Sequence, residues 1–249
     1  MNNIKKNMFM ITGAWGSGRN LREQNGSSGE HYTDKRWPRA RRLYHHPDNC
    51  YNSWPNVIAN NINATVHWVG SDDNHITNTL STFELFFNSI EGRYEDGINF
   101  YFVVFNGVYD LENKFKVDDN ADFWTNYKKA SKFQKDNLMT FNRGWISLKE
   151  IIKQSSYNDR MVFIMQDKEK IDDEYRRDDH PSIADQLNIM VQDYEYVYFA
   201  RQPMDEIVQE AHKFGSEPFD GPTLDMKQNE TFGNNLYSWL TDRTNCFIM

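Results

Sequence analysis

Five short apolar runs, at residues 8–12, 65–69, 99–105, 161–165 and 196–200, set the strongest constraint on how this chain folds. Several are apolar on successive residues rather than alternating, the pattern of strands covered on both faces in a parallel sheet. Helical patterns fill the gaps. Ser53-Trp54-Pro55 opens one, with Ser as N-cap and Pro in the first turn, followed by Val57, Ile58 and Ile62 on one stripe. Asp73 or Asn74 caps the next, where Ile76, Leu80, Phe83, Phe87 and Ile90 recur at helical spacing until Gly92 ends it. Further helices are expected at 145–152, 183–191, 204–211 and about 232–240, the last turning Leu236, Trp239 and Leu240 inward. Strands alternating with helices imply right-handed βαβ units, hence a three-layer α/β/α fold around a five-stranded parallel sheet. Such a sheet places its sites at the carboxyl ends of its strands.

The 249 residues suit one domain, with long insertions at about 19–52 and 114–143. Aromatic residues make up 15% of the chain and supply the buried area that a disordered chain lacks. A net charge of -8 rules out a global field attracting nucleic acid or acidic membranes, so any such contact must be local. The polar start, from Met1 to Lys6, and the short apolar stretch after it give no secretory leader. No run reaches the length of a membrane span. Cys50 and Cys246 form neither a disulfide framework nor a zinc spacing, which suits a reducing, cytoplasmic setting. Cys246-Phe247-Ile248-Met249 has the form of a prenylation box, but no polybasic stretch precedes it, and an ordinary apolar tail is expected over a lipid anchor.

The chemistry-bearing residues follow the strands. After the first comes Thr12-Gly13-Ala14-Trp15-Gly16-Ser17-Gly18-Arg19-Asn20. Gly13 and Gly18 have the spacing of a phosphate loop, but Arg19 and Asn20 stand where Lys and Ser/Thr would reach phosphate and magnesium. A second reading takes in more of the chain. Ser53 to Ala59, then Trp68-Val69-Gly70-Ser71-Asp72-Asp73-Asn74-His75-Ile76, then Phe102-Val103-Val104-Phe105-Asn106-Gly107-Val108-Tyr109-Asp110, stand in a distinctive order. Leu224-Asp225-Met226-Lys227 and Gly233-Asn234-Asn235-Leu236 follow near the end.

This order resembles the blocks of the SGNH (GDSL-type) hydrolases, most of all the versions encoded by bacteriophages. In that family a serine after the first strand attacks an acyl carbonyl. Backbone amides and an asparagine cradle the oxyanion, and a terminal aspartate–histidine pair supplies the base. Position by position the resemblance weakens at the chemistry. The first block reads Gly13-Ala14-Trp15, without Asp or Ser, and Ser17 is the nearest hydroxyl. Gly70 keeps the second-block glycine, whereas after Gly107 a tyrosine, Tyr109, takes the asparagine's place. The terminal pair reads Asp225 and Lys227, lysine replacing histidine. A Ser17–Lys227 dyad would need the lysine pKa depressed by burial, while Asp225 beside it pushes the other way.

The resemblance therefore implies a catalytically degenerate module that binds a partner or builds a structure, in a host cytoplasm or a virion if phage-encoded. An esterase or acyl hydrolase using Ser17, with Asp225 and Lys227, is the alternative, and a nucleotide-binding enzyme using residues 13–19 is the second. No cofactor and no metal are expected. The acids Asp172-Asp173-Glu174 and Asp178-Asp179-His180 lack the spacing of a calcium loop and read as helix-start charges. The cluster Lys35, Arg36, Trp37, Arg39, Arg41 and Arg42 is the candidate partner contact. Arg and Trp anchor protein interfaces, so a protein partner is favoured, with nucleic acid as the other possibility.

Overall fold

A computed structural model describes residues 4–11, 53–69, 76–89, 97–105, 132–165, 183–200 and 226–248. These comprise β1 (Lys6–Ile11), α1 (Trp54–Ile62), β2 (Thr65–Val69), α2 (Ile76–Phe87) and β3 (Ile98–Phe105). They continue with α3 (Lys132–Ile152), β4 (Asp159–Met165), α4 (Ile183–Val191), β5 (Val197–Ala200) and α5 (Met226–Arg243). All neighbouring strands pair in parallel, in the order β2-β1-β3-β4-β5. The fold is the three-layer α/β/α arrangement that the apolar runs imply.

Side-chain alternation on the strands divides the interior in two. One face of the sheet presents Phe9, Ile11, Tyr101, Val103, Phe105, Met161 and Phe163 to α2, α3 and α4. The other presents Met8, Met10, Phe100, Phe102, Val104, Val162 and Ile164 to α1 and α5. The connection β1→α1→β2 runs one way along the sheet, and the later crossovers run the other way. Right-handed connections then put α1 on the face opposite α2, α3 and α4. Because β3 is covered on both faces, it is buried along its whole length. That explains its unbroken apolar run.

The helices form where their apolar stripes dictate. In α1, Trp54, Pro55, Ile58, Ala59 and Ile62 are buried, and Asn63 ends the helix in the left-handed region at φ 54°. Along α2, Leu80, Phe83, Phe86 and Phe87 are buried, and Phe83 meets Phe87, Tyr101 and Phe163 with centroids 5.7–6.2 Å apart. Gly144 lets α3 approach α2 closely, since a Cβ there would come within 2.9 Å of Leu80 Cβ.

The strands predicted at 65–69 and the helix at 183–191 stand as expected, and the other strands shift by one or two residues at their starts. Three helices differ in extent. The second ends at Phe87, before Gly92. The third begins at Lys132 rather than at 145, so helix fills the later part of the 114–143 insertion, where the sequence suggests helix only around 123–133. Its first half, KFQKDNLMTFNR, has little apolar rhythm to announce it, but once the 145–152 turns are docked each added residue costs little. The last spans Met226–Arg243 rather than 232–240. The helix expected at 204–211 and the stretch 19–52 lie outside the described residues.

A polar network runs across the amino ends of the strands. Asn7, Asn99 and Asp159 are aligned by register on β1, β3 and β4. Asn7 Nδ2 donates to Asn99 Oδ1 and Asn99 Nδ2 to Asp159 Oδ1, each at 3.2 Å. Tyr101 Oη also donates to Asp159 Oδ1, at 3.1 Å, and His67 Nε2 lies 3.3 Å from Asn7 Oδ1. With Asn7 Nδ2 engaged by Asn99, its oxygen faces the imidazole, so this nitrogen of His67 is the donor. Slipping any of these strands by one residue would turn its member of the network to the opposite face.

Candidate functional site

In the strand order β2-β1-β3-β4-β5 the direction of winding reverses between β1 and β3, and the carboxyl ends of that pair are where open α/β sheets place their sites. Register brings the three relevant strand ends together: Ile11 aligns with Val69 on one side and with Val103 on the other. The segment Thr12 to Asn20 leaves β1 here, Gly70 follows β2, and Asn106 to Asp110 follows β3.

The start of α1 and the start of α5 meet at this same edge. Ser53 is fully buried with the extended backbone of an N-cap (φ -66°, ψ 146°). Its hydroxyl does not cap the helix; it accepts from Asn56 Nδ2 at 3.1 Å. Capping comes from the other helix: Trp54 N–H donates to Asn229 Oδ1 at 3.1 Å, and Asn229 is 1% exposed. Pro55 has no N–H, and Val57 N–H reaches Ser53 O at 3.1 Å, so much of the first turn's donor capacity is already engaged. Below this the Trp54 ring packs edge-on to Phe232, with centroids 5.3 Å apart.

Gly233 makes this approach of α5 to α1 possible. A Cβ at Gly233 would lie 2.8 Å from Val57 Cβ and 2.9 Å from Trp54 O. The glycine quoted for its place in the terminal block is therefore a helix-packing residue. Lys227, the second residue of α5, precedes Asn229 by two positions in the same helix.

Of the residues singled out from sequence, Gly13, Trp15, Ser17, Gly70, Gly107, Tyr109 and Asp225 lie outside the described residues. So does the whole set Lys35, Arg36, Trp37, Arg39, Arg41 and Arg42. Lys227 is described in backbone alone. Among the described residues no cluster of His, Cys, Asp or Glu is suited to a metal ion, and no helix is long and apolar enough to cross a membrane. Cys246, the residue a prenyl group would occupy, is fully buried. Asn229 is not among the residues that stand out in the sequence; its signal, a polar residue on the inward stripe with Phe232 and Leu236, is visible once the helix is extended back to Met226.

A groove lies between α2 and α3, lined by Ser81, Glu84, Leu85, Asn88, Arg143 and Gly144. Its carboxylate is engaged within the fold, since Glu84 Oε1 accepts from Ser147 Oγ at 2.9 Å and lies 4.0 Å from Arg143. Compared with protein-family models, with curated proteins and with solved structures, the chain finds no match.

Proposed function

We propose that the chain is a catalytically degenerate SGNH-like module that uses the carboxyl edge of its sheet to bind a partner, most readily another protein. The observation that carries this reading is the convergence at one edge. The stretches holding Gly13 to Ser17, Gly70 and Gly107 to Tyr109 leave adjacent parallel strands, and Lys227 stands in the first turn of the helix anchored beside them. Acyl transfer at that edge would need a nucleophile, a base and preorganised donors together. The sequence offers Trp15 in the first block, Tyr109 in place of an amide donor and Lys227 in place of a histidine. The scaffold suits a site, and the residues supplied suit contact better than catalysis.

The test is covalent labelling of the full chain with a serine-directed fluorophosphonate, alongside turnover of a p-nitrophenyl ester. Neither labelling nor turnover above background is expected. Stoichiometric labelling that disappears in Ser17→Ala would establish the hydrolase instead, and its loss in Lys227→Met as well would identify the dyad.

A further inference from the structure

The opposite, amino edge of the sheet holds a buried cation. Arg160, on β4, is fully buried on the α1/α5 face, alongside its register partner Phe100. Each of its nitrogens donates to main-chain carbonyl oxygen. Nε reaches Tyr157 O at 3.1 Å, Nη1 reaches Asn245 O at 3.3 Å and also Cys246 O, and Nη2 reaches Ile248 O at 2.7 Å. Aromatic rings wall the guanidinium: its carbon lies 4.6 Å from the Tyr157 centroid, 5.7 Å from Phe100 and 5.9 Å from Tyr196. The carbonyls come mainly from the segment that follows α5. That segment folds back through Thr244 Oγ1, which donates to Leu240 O and accepts Cys246 N–H at 3.1 Å. Phe247 then stacks on Tyr237 with centroids 5.4 Å apart and leans on Phe100 at 5.6 Å.

We propose that residues 244–248 are an arginine-latched strap which opens independently of the sheet, and that its closed position keeps Cys246 inaccessible. Among the described residues the strap is held by side-chain contacts and not by a hydrogen-bonded ladder: the Arg160 guanidinium, the rings of Tyr237 and Phe100 against Phe247, the burial of Cys246 and one threonine turn. It pairs with no strand, and Ile248 is 61% exposed. Segments held in this way belong to the least stable cooperative units of a fold. When the strap is closed, Cys246 is fully buried, and burial pushes its thiol well above the ordinary range, with the Arg160 charge pulling the other way and not offsetting it. Release would uncover the thiol and leave the guanidinium to water. The inference does not rest on the proposed function, which concerns the other edge.

The test uses the full chain with Cys50→Ser, so that Cys246 is the one thiol. Its reaction with Ellman's reagent is followed at rising urea and compared with global unfolding measured by circular dichroism. A strap that opens on its own gives slow native-state labelling that varies little with urea below the unfolding transition. Phe247→Ala then accelerates labelling by roughly tenfold through loss of the ring contacts, with the same weak urea dependence, and lowers the global midpoint by no more than that tenfold accounts for. Arg160→Lys, if it folds, accelerates it too, because one ammonium cannot reach all of these carbonyls. Labelling as fast as in the unfolded chain would show that no docked strap exists. Labelling with the full urea dependence of global unfolding would show that it does not open independently. Either result overturns the proposal.

Discussion

Asn229 shows how much one side chain can do when it links two helices. Its carboxamide oxygen is the acceptor for the first N–H of α1, and both groups are buried. Asn229→Leu keeps the volume and removes this acceptor from a buried backbone donor. The expected loss is about 1–3 kcal/mol of unfolding free energy, measured by urea denaturation. Asn229→Asp keeps an acceptor at the helix start and should recover part of that loss. A loss below the scatter of replicate curves for Asn229→Leu would mean that water or another group takes over. Ser53 offers the complementary lesson. From sequence it reads as the N-cap, and its backbone fits, yet its hydroxyl serves Asn56. Propensity places a residue at a helix start, but tertiary contacts decide which oxygen does the capping.

Between elements, the crossing of α5 over α1 depends on Gly233. By helix propensity alone, Gly233→Ala should stabilise an interior helical position by up to about 1 kcal/mol. The space forbids it, since the added methyl would sit 2.9 Å from Trp54 O, a main-chain atom that cannot swing aside. A net destabilisation of roughly 1–3 kcal/mol is expected, and a stabilised variant in thermal melts would refute the close crossing. The elements themselves were legible because their apolar periods are strong: the residues at 65–69 and 183–191 carry the strand and helix found there. Where the rhythm is weak, in the first half of α3 and the first turns of α5, the helices ran past their predicted starts. The site was legible only in outline. Strand ends can be found from apolar runs, whereas the cross-helix role of Asn229 depends on residues 175 positions apart in sequence, a separation no local pattern reports.

At the scale of the whole molecule, buried acids that titrate late make the fold sensitive to alkali. Burial raises the pKa of Cys246 above its ordinary 9.0 and that of Tyr198 above 10.0; the Tyr198 hydroxyl is buried and has no hydrogen-bond partner among the described residues. Both hold their protons more tightly folded than unfolded. Below pH 9.0 their contribution is intact; above it the unfolded chain releases protons that the folded chain keeps, and stability falls. Lys6 acts in the opposite sense, because burial and the nearby Arg160 lower its pKa, so its cost shrinks as pH rises. Comparing Cys246→Ala with the parent chain isolates the thiol. The variant should lose less stability between pH 8 and pH 10.5 in urea titrations, and parallel losses would show that the thiol is not responsible.

The amide network across β1, β3 and β4 has a consequence for how such a molecule can change. Its donors all point one way, from His67 through Asn7 and Asn99 to Asp159; Asn7, Asn99 and Asp159 lie at the amino ends of their strands and His67 at the middle of β2. None of them belongs to the stretches that follow Ile11, Val69 and Phe105. Alignment of the strands and the content of the opposite rim are therefore set by separate residues. One end acts as a keel and the other as a deck, and what stands on the deck can be exchanged without touching what keeps the hull in line.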